Sequence, residues 1–148
     1  MRRTSFDKAR CPVAQSLDAV GDWWSLLIVR ESLAGVRRFG DFQKSLGLAK
    51  NILTQRLKRL VELGIMETAP AADGSAYREY LLTPKGEGLL TVIVALRQWG
   101  SDHCFEPGES YRSLVDSQTN HPVARLQVSS QDGRPLRPND VRLERLAD

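Results

Sequence analysis

Residues 39–63, FGDFQKSLGLAKNILTQRLKRLVEL, decide the fold. Phe39, Phe42 and Leu46 recur at i, i+3 and i+7, the spacing that gathers side chains on one side of a helix, and Gly47 ends that run. After the short turn Gly47-Leu48-Ala49, a second apolar series of Leu53, Leu57 and Leu60 marks one side of a helix over residues 50–63, with Gly64 stacked at its end. Two helices joined by a tight glycine turn read as a helix-turn-helix. At 100° per residue the leucines turn inward, while Asn51, Gln55 and Lys58 cluster on the opposite side with Thr54 beside them.

Working outward toward the N-terminus, Asp22 is an N-cap for a mostly buried helix over residues 23–34 that carries Trp24, Leu27 and Ile28 and ends at Gly35. Before it, Pro12 opens a short first helix with Val13, Leu17 and Val20 near helical spacing. On the other side, residues 65–68, the turn-rich residues 72–75 and the β-formers of residues 77–82 predict a hairpin. Thr83 and Pro84 then start a closing helix with a wide apolar face, through Leu89, Ile93, Leu96 and Trp99 to about Cys104. The expected fold is α+β, mostly helical: a winged helix-turn-helix over residues 1–105, with N- and C-terminal dimerisation helices. Residues 106–148 hold four of the seven prolines and short mixed runs such as residues 123–128, and are expected to form an extension with a small β appendage. The apolar face of the closing helix is too wide for one small domain to bury, so a homodimer covering Ile93, Leu96, Trp99 and part of the first helix is expected.

The whole chain of 148 residues carries a net charge of only +3. Residues 37–60 contain seven bases (Arg37, Arg38, Lys44, Lys50, Arg56, Lys58, Arg59) against the single acid Asp41, a local +6 that leaves −3 for the rest. A basic block of this kind suits a surface that neutralises phosphates and releases their counter-ions; a solvated helix face is the plainer reading. Asn and Gln can bond adenine through two hydrogen bonds, Lys can donate to guanine, and Thr offers a hydroxyl or a methyl. Asn51, Thr54, Gln55 and Lys58 are therefore the candidates for base contact with double-stranded DNA. Arg37, Arg38, Lys50, Arg59 and Arg78 are candidates for phosphate or wing contact, with simple solubility as the alternative. For Arg56 an intramolecular ion pair is favoured over phosphate contact.

Other classes fit less well. The chain has no Gly-x-Ser-x-Gly, no His-Glu-x-x-His and no phosphate-binding loop, and neither His103 nor His121 has a partner at catalytic spacing, so no enzyme and no cofactor are expected. Two cysteines and two histidines are too scattered for a zinc site, and no metal is expected. The longest apolar stretches, residues 23–29 and 89–96, fall far short of the roughly 20 residues that span a membrane. The charged first ten residues lack the pattern of a secretory signal, which points to a cytoplasmic protein. The rival function is a winged helix used as a protein-interaction module without specific DNA binding; depletion of Lys in protein interface cores argues against it.

Five ordered motifs, Cys11-Pro12-Val13, residues 21–28 (GDWWSLLI), residues 38–42 (RFGDF), residues 53–57 (LTQRL) and residues 80–86 (YLLTPKG), resemble the HxlR-type winged-helix transcription regulators, relatives of the MarR proteins, over about residues 9–105. The resemblance implies a DNA-binding homodimer, with the fourth helix in the major groove, the hairpin as a wing at the adjacent minor groove, and the first and last helices building the dimer. The expected protein is a sequence-specific transcriptional regulator, a repressor acting on a pseudo-palindromic operator. Many relatives carry a C-terminal Cys-x-x-Cys-Gly-x-Pro-Leu run; here Ser129 and Asp132 stand at the cysteine positions before Gly133-Arg134-Pro135-Leu136, so a metal knuckle is not expected. Cys11 lies at a helix start near Arg10 and Lys8, a positively polarised setting in which thiols gain reactivity. Some relatives use a cysteine here to sense oxidants or electrophiles, so Cys11 is a candidate redox sensor for an electrophile or other small-molecule effector. The alternative is a small buried or capping residue.

Overall fold

The computed structural model describes residues 4–145, so the first three residues of the charged N-terminal decapeptide lie outside the described residues. The elements run α1 (Pro12–Val20), α2 (Trp23–Leu33), α3 (Phe39–Leu46), α4 (Lys50–Glu62), β1 (Met66–Pro70), β2 (Arg78–Leu82), α5 (Pro84–Glu87) and α6 (Leu90–His103), followed by a 3-10 turn at Pro138–Asp140. The chain divides into two compact units, Met1–Ile93 and Val94–Asp148.

The first unit is a winged helix-turn-helix. Asp22 caps α2 as its sequence predicts, accepting the backbone N–H of Ser25 at 3.0 Å and the Ser25 hydroxyl at 2.7 Å. Gly47 ends α3 in the left-handed conformation (φ 65°), where a residue with a Cβ would be strained. The apolar series of α3 and α4 converge as their periodicity requires: Phe42, Leu53, Leu57 and Leu60 are buried beside Ile28, Val29, Ile65 and Met66. Each such side chain contributes about 1.5–3 kcal/mol by leaving water. Ile93, expected from sequence in a dimer face, is partly buried against this core of its own chain. Trp23, by contrast, opens α2 but stands 75% exposed.

β1 and β2 pair antiparallel, with Met66 opposite Leu82, Thr68 opposite Tyr80 and Pro70 opposite Arg78. The first strand begins at Met66 rather than Ile65 because Ile65 turns its N–H back to α4 and offers only its carbonyl to the chain leaving β2. Its N–H donates to Leu60 and its carbonyl accepts the Thr83 N–H. The single closing helix expected from sequence is divided. Thr83 caps the four-residue α5 by accepting the Gly86 N–H at 3.2 Å, and a turn at Gly88 and Leu89 separates α5 from α6. Gly86 and Gly88 are poor helix formers. A Cβ on Gly86 would sit 2.1 Å from the Ile65 carbonyl oxygen, so glycine is what allows α5 to lie against the chain leaving α4. Lys85 completes this junction by donating to the Leu63 carbonyl at 2.6 Å, at the C-terminal end of α4 where a cation also suits the helix dipole.

In the second unit, the expected β character amounts, among the described residues, to two isolated antiparallel bridges, Val115 with Pro122 and Ser129 with Pro135. The unit is organised by hydrogen bonds along α6. The Gln98 amide donates to the Ala124 carbonyl at 3.0 Å and accepts from the Leu126 N–H at 2.8 Å, Arg97 donates to the Arg112 carbonyl at 2.7 Å, and Arg125 pairs with Asp102. The Ser129–Pro135 loop is closed by Ser130, whose N–H donates to the Arg134 carbonyl at 2.8 Å and whose hydroxyl accepts the Arg134 N–H at 2.9 Å and contacts Asp132. With no thiol there and the Asp132 carboxylate held by Ser130, this loop does not fit the metal that the Cys-x-x-Cys pattern of relatives would imply.

Candidate nucleic-acid interface

The helix-turn-helix presents one side of α4 to solvent. Asn51, Thr54, Gln55 and Lys58 are all exposed, opposite the buried Leu53, Leu57 and Leu60, so the four base-contact candidates share a face. Lys50, Asn51, Thr54 and Gln55 line one shallow depression at the start of the helix. The Thr54 hydroxyl donates to the Lys50 carbonyl one turn back at 2.7 Å, which commits its proton and leaves its methyl and its acceptor lone pairs for an incoming group. Among the described residues the side chains of Asn51, Gln55 and Lys58 make no hydrogen bond within the chain, so their side-chain donors and acceptors face water.

Four of the arginines are engaged within the chain. Arg56 lies 3.5 Å from the Asp22 carboxylate, the ion pair favoured from its position on the helix flank. Arg37 reaches Glu79 at 3.7 Å, and Arg38 donates to Asp73 at 2.5 Å with its guanidinium 5.5 Å above the Tyr77 ring. Arg78 in the wing donates to the Thr68 hydroxyl at 3.1 Å. Among the described residues, Lys50, Lys58 and Arg59 make no ion pair. The basic block is therefore partly neutralised from within, by Asp22, Asp73 and Glu79.

These contacts fasten the wing to the segment ahead of α3. The Tyr80 N–H donates to the Arg37 carbonyl at 2.7 Å, so the backbone at Arg37 lies along the outer edge of β2. Glu79, only 7% exposed, accepts the Ala72 N–H at 3.4 Å as well as facing Arg37. At the wing tip the Ser75 backbone N–H, then the Arg38 guanidinium, hold the Asp73 carboxyl down at about 2, and the Asp73 carboxylate in turn raises the Arg38 pKa. Asp73 and Glu79 were not singled out in the sequence. Glu79 alternates with the core-packed Tyr80 and Leu82 on β2, so strand parity gave no signal for its burial. Cys11 is exposed at the N-cap of α1 and its side chain makes no capping bond; Cys104 is exposed as well. Among the described residues no cluster of three or more His, Cys, Asp or Glu side chains could hold a metal ion, and no helix is long and apolar enough to cross a membrane.

Residues 19–107 match the family of HxlR-like helix-turn-helix proteins. An uncharacterised HTH-type transcriptional regulator of Mycobacterium tuberculosis is 42% identical over 95 residues, 64% of this chain and 60% of that protein, so the chain spans about 60% of the length of the curated relative it matches. The crystal structure of PA1607, described as a candidate transcription factor, superposes with a TM-score of 0.91 at 54% identity, covering 96% of this chain and 99% of that one. The redox regulator HypR in its reduced form is 25% identical, with a TM-score of 0.58 over 64% of this chain and 94% of its own.

Proposed function

The chain belongs to the HxlR-like helix-turn-helix family, and from that premise we propose that it is a cytoplasmic transcriptional regulator that binds double-stranded DNA. It acts as a homodimeric repressor on a pseudo-palindromic operator, with residues 1–105 as the DNA-binding and dimerising part and residues 106–148 as an extension. The observation that carries this reading is the single exposed face of α4, where Asn51, Thr54, Gln55 and Lys58 stand opposite three buried leucines. Their mix of amide, hydroxyl and ammonium groups suits base edges in a major groove. Lys50 and Arg59 contact phosphates, with Arg37, Arg38 and Arg78 at the wing. Dimerisation draws on apolar side chains that remain exposed, Val13 on α1 and Leu96 and Trp99 on α6.

Selection of bound fragments from random duplex DNA, followed by footprinting, tests the reading. A two-fold symmetric site with half-sites about one helical turn apart, or a small multiple of it, is expected. Light scattering should report a dimer at micromolar concentration. Binding that is insensitive to salt would instead favour a protein-interaction module. Cys11 is the site at which an oxidant or electrophile acts on this regulator, a reading supported by its exposure and by the likeness to a redox regulator. Diamide treatment should weaken operator binding by the wild type and leave Cys11→Ser unaffected; equal operator binding by treated and untreated wild type overturns this role.

A further inference from the structure

Two consecutive arginines ahead of α3 are held by two acids of the wing, but in unlike surroundings. The Glu79 side chain facing Arg37 is 9% exposed, whereas the Asp73 side chain facing Arg38 is 56% exposed. Removing a partner from a buried carboxylate leaves an uncompensated buried charge, so the Arg37–Glu79 pair is built to stay closed. An exposed pair is worth little to either partner, because water and salt solvate both ions almost as well. Arg38 is therefore the arginine that can change partners without cost to the core.

Its position suits such a change. Arg38 stands at the N-cap of α3 with an extended backbone (φ −100°, ψ 145°) and makes no capping bond with its side chain. Together with Phe39, Gly40, Asp41, Tyr77, Arg78 and Tyr80 it lines a recess beside the first turn of that helix. An anion entering there would meet Arg38, Arg78 and the N-terminal end of α3. Two acids oppose it, Asp41 in the first turn and Asp73 on Arg38. While Asp73 is in place the two arginines are balanced by two carboxylates, and a phosphate gains nothing from the recess as a whole until Asp73 withdraws. The Arg38 guanidinium lies 5.5 Å from the centre of the Tyr77 ring, a cation–π contact that does not itself consume the N–H donors an anion would use.

We propose that Asp73 is an exchangeable counter-ion for Arg38, which a DNA backbone phosphate replaces on binding, so that this wing carboxylate sets the strength and salt sensitivity of DNA association. The proposal rests on the DNA-binding reading above and adds to it an affinity-setting residue that makes no contact with DNA. Its physical consequence is a deficit in counter-ion release. A phosphate meeting a bare arginine frees its condensed cation, but a phosphate displacing Asp73 leaves a carboxylate that gathers a cation of its own. Asp73→Asn keeps the shape of the turn and removes that charge.

Binding to a mixed-sequence duplex, measured by fluorescence anisotropy across a salt series, reads the exchange without an operator. Asp73→Asn should bind about two- to fivefold tighter per protomer at low salt, the range an exposed ion pair spans. Its plot of log affinity against log salt should steepen by up to about 0.9 per protomer, one further phosphate neutralised. In the Arg38→Gln background the same substitution should do neither. Asp73→Ser serves as a second removal of the charge, and thermal unfolding of each variant checks that the wing still folds. An unchanged slope for both Asp73 variants overturns the exchange, as does a gain that survives in Arg38→Gln. Weaker binding by both also overturns it and makes Asp73 a positioning residue for Arg38. If the wild type shows no salt-dependent binding to any duplex, the DNA-binding reading falls along with the exchange; wild-type binding with unresponsive Asp73 variants removes the exchange alone.

Discussion

The two units of this chain are ordered by different means. In Met1–Ile93 the helices are fixed by apolar side chains taken from water: seven residues from α2, α3, α4 and β1 are at most 1% exposed, Phe42 and Leu53 among them. In Val94–Asp148 the one buried hydrophobic among the described residues is Val94, and the chain is tied to α6 through Gln98, Arg97 and Asp102. A core tolerates change on its surface but not in its interior, whereas a segment held by a few polar contacts depends on each of them. The first unit can therefore vary the exposed side of α4 freely, as the proposed base-reading role of that side requires.

The sharpest test of this contrast is Leu57→Ala. It should lower unfolding stability by about 2–5 kcal/mol in denaturant melts, and a loss below about 1 kcal/mol would show that α4 is not held by its buried side. On the opposite side of the same helix, Asn51→Ala or Gln55→Ala should leave the melting curve unchanged and cost about 1–3 kcal/mol per half-site on the selected operator, with little effect on unrelated duplexes. Uniform loss on all sequences would reassign those residues to the backbone. In the second unit Gln98→Ala removes two bonds to the main chain, each worth about 0.5–1.5 kcal/mol, and hydrogen exchange should quicken at Leu126 while α4 stays protected. Loss of protection in α4 would mean that the two units are not independently ordered.

The smallest effect is a dependence on pH. The folded Asp73 carboxyl is lowered to about 2 from an ordinary 3.8, so its contribution is fully present above the ordinary value and is lost as the pH falls through about 2. Asp102 is lowered by its bond to Arg125 and follows the same sign. Both are exposed, so the change should appear as a local NMR titration of the Ser75 amide with a midpoint near 2, not as global unfolding. A midpoint at the ordinary carboxylate value would show that Asp73 is not held by Ser75 and Arg38 in solution.

How much of this was legible in the sequence follows from the same contrast. The bounds of α3 and α4 and the inward side of α4 could be read closely, because a repeat of three and four residues states which side is buried within a single helix. The Arg56 ion pair was also legible, since the flank of α4 is neither core nor front. The partners of Arg37 and Arg38 were not. Asp73 lies 35 residues from Arg38, and only the folded wing brings them together. The break between α5 and α6 was equally hidden, since it depends on how near the Ile65 carbonyl comes to Gly86. The tail carries no periodic signal because bonds from side chains to the main chain need no repeat.

The hydrogen bond from the Tyr80 N–H to the Arg37 carbonyl has one more consequence. A two-stranded hairpin that projects from a protein has two unpaired rims, and either can recruit a strand from another molecule and seed aggregates. Here the outer rim of β2 is already taken at its centre by a single residue of the same chain, and β1 ends on Pro70, which has no N–H to offer. Each rim of the hairpin thus carries a feature that opposes the addition of a strand from a neighbour.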